Sequence, residues 1–188
     1  MIILIFSILF LIFCFVAFCI AIFWFVLLLI YKAPYVKTPT SAIETILNSI
    51  SIRPEELVYD LGCGDADVLI ALEKKFGCRT IGYEASPFPY IRALRNIRLN
   101  KAKTQVYWRD FFKADLSKAD IVFCFLIQSL MPRVGVYLQG QLKPGSRVIC
   151  YGYPIPNWPA SPNRTRGEQP TQTIDVPNTS SKIYCYQR

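Results

Sequence analysis

Residues 2–31, IILIFSILFLIFCFVAFCIAIFWFVLLLIY, contain no charged side chain. A helix of that length rises about 45 Å, and a bilayer core needs only about 20 apolar residues. A core helix of a soluble protein keeps one polar face, and this run has none. A secretory signal would carry a basic start, a shorter apolar stretch and small residues near its end. Here the first basic residue is Lys32, and Trp24 and Phe25 stand where small residues would be wanted. The run is read as one uncleaved transmembrane helix. Lys32 and Lys37 on its C-terminal side place the N-terminus outside and the remaining chain in the cytoplasm. The overall hydrophobic content of 53% owes its excess to this run.

The run divides the chain into a transmembrane helix (2–31), a juxtamembrane linker (32–38) and a globular domain (39–188). Thr38 followed by Pro39 reads as the cap and first position of an amphipathic helix over 39–50. The pattern then alternates. Strands are expected at 56–61, 79–84, 104–108, 120–126 and 146–153, and helices at 65–76, 86–100 and 129–142. The run DIVFCFL (120–126) is apolar on both faces, as a central parallel strand should be. Gly135 and Gly140 weaken the last of these helices. Such alternation specifies an α/β doubly wound sheet with right-handed connections. A Pro- and Asn-rich loop follows residue 153, and two strands at 171–176 and 181–187 close the chain as a hairpin.

Composition removes several classes of chemistry. The chain has no histidine, which excludes His-based metal sites and Ser-His or Cys-His triads. No metal site is expected. Its seven cysteines form no C-x-x-C pair and read as free thiols in a reducing compartment. The net charge of +8 favours an anionic partner or surface. Arg92, Arg95, Arg98, Lys101 and Lys103 form a basic stripe away from the strand ends, read as a solvated or lipid-facing surface.

The stretch VYDLGCGDADV (58–68) carries the chemistry. Strand, Gly62-x-Gly64 and helix form the entry of a nucleotide-binding fold, where glycines let backbone amides approach a ligand at a helix start. Glu84 closes the next strand about 20 residues on, where an acid binds ribose hydroxyls. Asp65 and Asp67 would repel a pyrophosphate, and no Gly-Lys-Ser/Thr follows for a P-loop. The ligand should therefore hold adenosine without phosphate and carry positive charge. S-adenosylmethionine, with its sulfonium and ammonium groups, meets both conditions, and Asp60 and Asp65 suit its positive end.

VYDLGCGDAD resembles motif I of the class I, seven-stranded S-adenosylmethionine-dependent methyltransferases. The resemblance implies a Rossmann-like sheet of order 3-2-1-4-5-7-6, preceded here by the single transmembrane helix. It implies Glu84 as the ribose acid, and Asp110 and Phe111 in WRDFF as the adenine site. Ala66 stands where many members have glycine. PYVKTP (34–39), QSLMP (128–132) and YPIPNW (153–158) narrow the resemblance to the membrane-anchored protein-lysine methyltransferase family. That family includes the mitochondrial ATP synthase c-subunit lysine methyltransferase and small archaeal lysine methyltransferases. Lys37 departs from the usual P-Y-V-P-T-P, and Phe125, Leu126 and Ile127 replace the usual residues before Gln128. Thr38 belongs with the cofactor residues of that segment.

Methyl transfer needs a neutral, aligned amine, so positioning supplies most of the catalysis. Gln128, at the C-terminal end of the fourth strand, is the expected acceptor-orienting residue. Tyr35 and Trp158 are the expected aromatic walls around a lysine stem, against the alternative of ordinary packing. The expected acceptor is a lysine on a membrane or membrane-proximal protein. The rivals are a lipid or quinone methyltransferase and a degenerate cofactor fold acting as a membrane scaffold. A nucleic-acid amino-methyltransferase would want an Asp/Asn-Pro-Pro-aromatic run after the fourth strand, and none occurs.

Overall fold

A computed structural model describes residues 2–30, 35–158 and 170–188. The chain divides into two compact units, Met1–Pro34 and Tyr35–Arg188. The described residues of the first form one helix, α1 (Ile2–Ile30). Its segment Ile5–Val26 has mean hydropathy 3.1 and no buried share, so it is long and apolar enough to cross a membrane.

The second unit begins with α2 (Thr40–Ser49). It continues with β1 (Leu57–Leu61), α3 (Asp67–Phe76), β2 (Arg79–Glu84), α4 (Pro87–Asn100) and β3 (Gln105–Trp108). β4 (Ile121–Cys124), α5 (Met131–Gln141), β5 (Arg147–Tyr151), β6 (Gln172–Asp175) and β7 (Lys182–Gln187) complete it. The sheet order is β3-β2-β1-β4-β5-β7-β6, as the resemblance implied. β1 to β5 are parallel, whereas β7 pairs antiparallel with β5 and β6.

The two-residue period of the strands sorts the core onto two faces. Leu57, Tyr59, Leu61, Val122, Cys124, Val148 and Cys150 meet α5 through Met131, Val134 and Leu138. Val58, Ile121, Phe123, Ile149 and Tyr151 meet α2 and α3 through Ala42, Ile46, Leu69 and Leu72. A fully buried leucine such as Leu69 contributes about 1.5–3 kcal/mol relative to exposure. Polar ties fix the edges: Arg147 Nη2 lies 3.0 Å from Glu56 Oε2, and Leu57 N donates to Asp120 Oδ2 at 2.8 Å.

Several boundaries differ from the sequence expectation for physical reasons. Pro39, not Thr38, is the cap of α2, and it makes no side-chain cap bond. α3 starts at Asp67 because Ala66 is left-handed (φ 65°). β4 ends at Cys124, and Gln128–Leu130 forms a 3-10 turn ahead of α5. A second 3-10 turn, Phe111–Lys113, follows β3 and had no sequence signal. Of the loop expected after residue 153, residues 159–169 lie outside the described part, as do linker residues 32–34 and Tyr31, the last position of the expected span.

Candidate active site

Going outward from β1, the chain turns to β2 on one side and β4 on the other, which opens a crevice at the strands' C-terminal ends. Tyr35, Val36, Thr38, Asp60, Gly62, Cys63, Gly64, Asp65, Phe123 and Phe125 line a pocket there. Tyr35, Thr38, Asp60, Gly62, Gly64 and Asp65 were expected from the sequence. Val36, Cys63, Phe123 and Phe125 were not, although Phe123 pairs in register with Asp60 and so must share its surroundings.

The glycine turn owes its shape to two backbone positions. Gly62 has φ 81° and Gly64 φ 57°, the left-handed region. A side chain at Gly64 would also place its Cβ 2.7 Å from the Tyr35 ring, so the aromatic packs directly against this glycine. Ala66 holds φ 65° despite its Cβ, a strain of about 1–2 kcal/mol that glycine would avoid.

Glu84 ties the turn to the end of β2. Its Oε2 accepts from Gly64 N at 2.9 Å, and its Oε1 accepts from Ser86 N at 2.7 Å. A carboxylate has about four acceptor positions, so two remain free to accept from a ligand.

Asp60 is 3% exposed, and its carboxylate accepts no hydrogen bond among the described residues. Burial above all, and then the charges of Glu84 and Asp65, hold this carboxyl well above the usual range. Asp65 and Asp67 face a cation: Lys37 Nζ lies 2.7 Å from Asp67 Oδ2 and 3.6 Å from Asp65 Oδ2. The hydrogen bond to Asp67 holds the Lys37 ammonium above its ordinary pKa. Lys37 had entered the sequence reading only as a basic linker residue and a departure from a motif.

The Tyr35 hydroxyl is buried and meets no partner at hydrogen-bonding geometry among the described residues. Burial first, and the nearby Asp65 carboxylate second, keep the phenol well above its ordinary pKa. The Arg92 guanidinium sits 4.5 Å over its ring. An acid cluster with one unpaired buried carboxylate, beside an orphaned hydroxyl, fits a ligand with a cationic end and polar groups. It does not fit a pyrophosphate. The residues present therefore suit S-adenosylmethionine.

The remaining expected residues do not line this pocket. Asp110 caps the 3-10 turn by accepting from Phe112 N at 3.0 Å, and Phe111 packs on Phe112 with ring centroids 4.4 Å apart. The Tyr137 hydroxyl of α5 reaches the carbonyls of Phe111 at 2.7 Å and Ala114 at 2.6 Å, which pins that turn. Gln128 is exposed at the start of the turn after β4. Trp158 is 4% exposed, donates to the Gln187 carbonyl at 3.1 Å, and lies against Tyr186.

The ANTKMT methyltransferase domain model matches residues 60–162, beginning at the buried acid of β1. The chain belongs to the ANTKMT methyltransferase domain family. It is an S-adenosylmethionine-dependent methyltransferase. A protein-lysine N-methyltransferase of Saccharolobus islandicus is 32% identical over 158 residues, 81% of this chain and 92% of the relative. The ATP synthase c-subunit lysine N-methyltransferase of Xenopus laevis is 32% identical over 66% of this chain, which spans only 55% of that relative. Among solved structures, an RNA methyltransferase of Salinibacter ruber in complex with S-adenosyl-L-homocysteine matches with TM-score 0.71 and 25% identity, over 81% of this chain and 93% of that one. A precorrin-6y C5,15-methyltransferase of Geobacter metallireducens shares the fold at TM-score 0.56 and 17% identity, over 65% and 68% of the two chains.

Proposed function

We propose that this ANTKMT-family chain is a membrane-anchored protein-lysine N-methyltransferase, with residues 2–31 as the anchor and the catalytic domain on the cytoplasmic side. The observation that carries the lysine reading is the archaeal protein-lysine N-methyltransferase, 92% of whose length this chain spans. The anchor rests on the length and uniform apolarity of α1, and its direction on Lys32 and Lys37.

In this reading the cofactor's ribose meets Glu84, and its cationic end meets Asp60 and Asp65. Its adenine lies by Asp110 and Phe111, and Thr38 borders the pocket. When bound, S-adenosylmethionine supplies an electrophilic methyl group on a sulfonium sulfur. The chain's own task is to hold an amine in line with that methyl. The Gln128 side-chain carbonyl accepts a hydrogen bond from the amine and aims its lone pair. Tyr35 walls the pocket with a ring fixed by Gly64 and Arg92. Buried Trp158 fixes the loop after β5 and so shapes the acceptor side indirectly. The amine reaches the site neutral, and water takes the proton released on transfer.

A second reading, transfer to RNA, is favoured by the Salinibacter ruber structure alone. Methyl-labelled cofactor incubated with the full chain and native membranes separates the outcomes. Label in protein, on lysine, supports the proposal. Label in RNA or in lipid replaces it with the corresponding alternative.

A further inference from the structure

Helix α4 carries two stripes where a helix covering a sheet needs one. Its inner side buries Pro89 and Ala93. Its outer side sets Ile91, Leu94, Arg95, Arg98 and Leu99 at i, i+3, i+4, i+7 and i+8, the spacing of one continuous helical face. The three apolar members of that face are 60%, 44% and 67% exposed. No acid occurs in α4. Lys101 and Lys103 extend the positive charge beyond its C-terminal end, both exposed. Glu73, which reaches that end, is engaged with Lys103 N and Thr104 Oγ1, each at 2.6 Å.

A solvated basic face has no use for isoleucine and leucine between its arginines. Apolar side chains flanked by cations form the pattern of a helix lying in a membrane interface, where the chains enter the acyl boundary and the guanidinium groups meet headgroups. The position of this face in the domain supports that match. Arg92, one residue beyond Ile91, sits over the ring of Tyr35, the first residue of the globular unit. The chain thus enters the domain beside α4.

The geometry points to the outer face of α4 as a second membrane contact, docking the catalytic domain onto anionic phospholipid. The inference rests on the reading of α1 as a membrane anchor. An anionic surface meets both parts of the stripe. A protein partner would need its own acidic apolar groove, for which no feature of this chain argues.

Photocrosslinking tests the contact on the full chain in nanodiscs, made with phosphatidylcholine alone or with added phosphatidylglycerol. p-Benzoylphenylalanine is placed singly at Ile91, Leu99, Phe13 within α1, and Val136. Val136 is 73% exposed on α5, across the sheet, and reports nonspecific collision. The expected result is lipid adducts at Ile91, Leu99 and Phe13, none at Val136, and stronger labelling at Ile91 and Leu99 with phosphatidylglycerol. The double variant Arg95→Glu, Arg98→Glu should lower lipid labelling at Ile91 by about fivefold or more, leaving Phe13 unchanged. Lipid adducts at Phe13 without adducts at Ile91 and Leu99 overturn the docking and leave the anchor intact. Equal labelling at Val136, or adducts at Ile91 to protein instead of lipid, also overturn it. Absence of lipid adducts at Phe13 overturns the anchor reading itself.

Discussion

The two sides of the crevice are built to different tolerances. On the β1–β2 side most pocket residues are fixed by others: Glu84 holds the Gly64 and Ser86 amides, Tyr35 lies against Gly64, and Lys37 bridges Asp65 and Asp67. On the β4–β5 side the strands end early, and Gln128 stands exposed on a single turn. The binding half has one geometry to keep because its ligand is constant. In the proposed reading the acceptor half leaves the Gln128 amide with few constraints, as a site closed by a macromolecular substrate would.

That contrast is open to attack by substitution. Gly64→Ala should have the largest effect, because it combines a left-handed backbone with a collision against Tyr35. Both thermal stability and cofactor affinity should fall, each by about 1–3 kcal/mol, as scanning and titration calorimetry would show. Glu84→Ala should weaken cofactor binding by about 1.5–3 kcal/mol. Unchanged affinity there would remove Glu84 from the cofactor site.

Gln128→Ala should leave cofactor affinity intact and slow turnover by about tenfold, equivalent to roughly 1.4 kcal/mol in the transition state. Loss of cofactor binding in that variant would erase the distinction between the two halves. The smallest effect is expected at Asp60, with opposite signs for stability and binding. Its raised pKa means the folded state holds a proton that the unfolded state releases, so its contribution to stability falls as pH climbs above the ordinary carboxylate range. Asp60→Asn should therefore raise the ligand-free melting temperature by about 2–4 °C near neutral pH. The gain should vanish in acid, and cofactor affinity should fall at neutral pH.

The sheet was legible because its signals are local. Alternating strands and helices, the glycine turn and the apolar β4 run each lie within a few residues, and the strand order followed from the motif they form. Asp60, Gly62, Gly64 and Asp65 share that one local motif and line the pocket, whereas Thr38 entered the site reading only through the resemblance of PYVKTP. What escaped depends on distant partners. Lys37 meets acids that lie far along the chain, so no local pattern announces the pair. Gly135 reads as a weak point in a helix, yet a Cβ there would come 2.5 Å from Ile155 Cγ2, so it is the seat of the post-β5 loop. Trp158 carries the same ambiguity. Aromatic residues in a motif look alike whether they touch a ligand or fasten a loop, and only its bond to Gln187 separates the two.

The position of β7 has a consequence for how the chain is made. It lies between β5 and β6 but follows both in the chain, so this edge of β5 has no partner until residues 182–187 have left the ribosome. Until then Val148, Ile149 and Cys150 sit on an open strand edge, a template for pairing with another nascent chain. Chains stalled before residue 182 should therefore aggregate or recruit chaperones, while full-length chains of the same concentration should not.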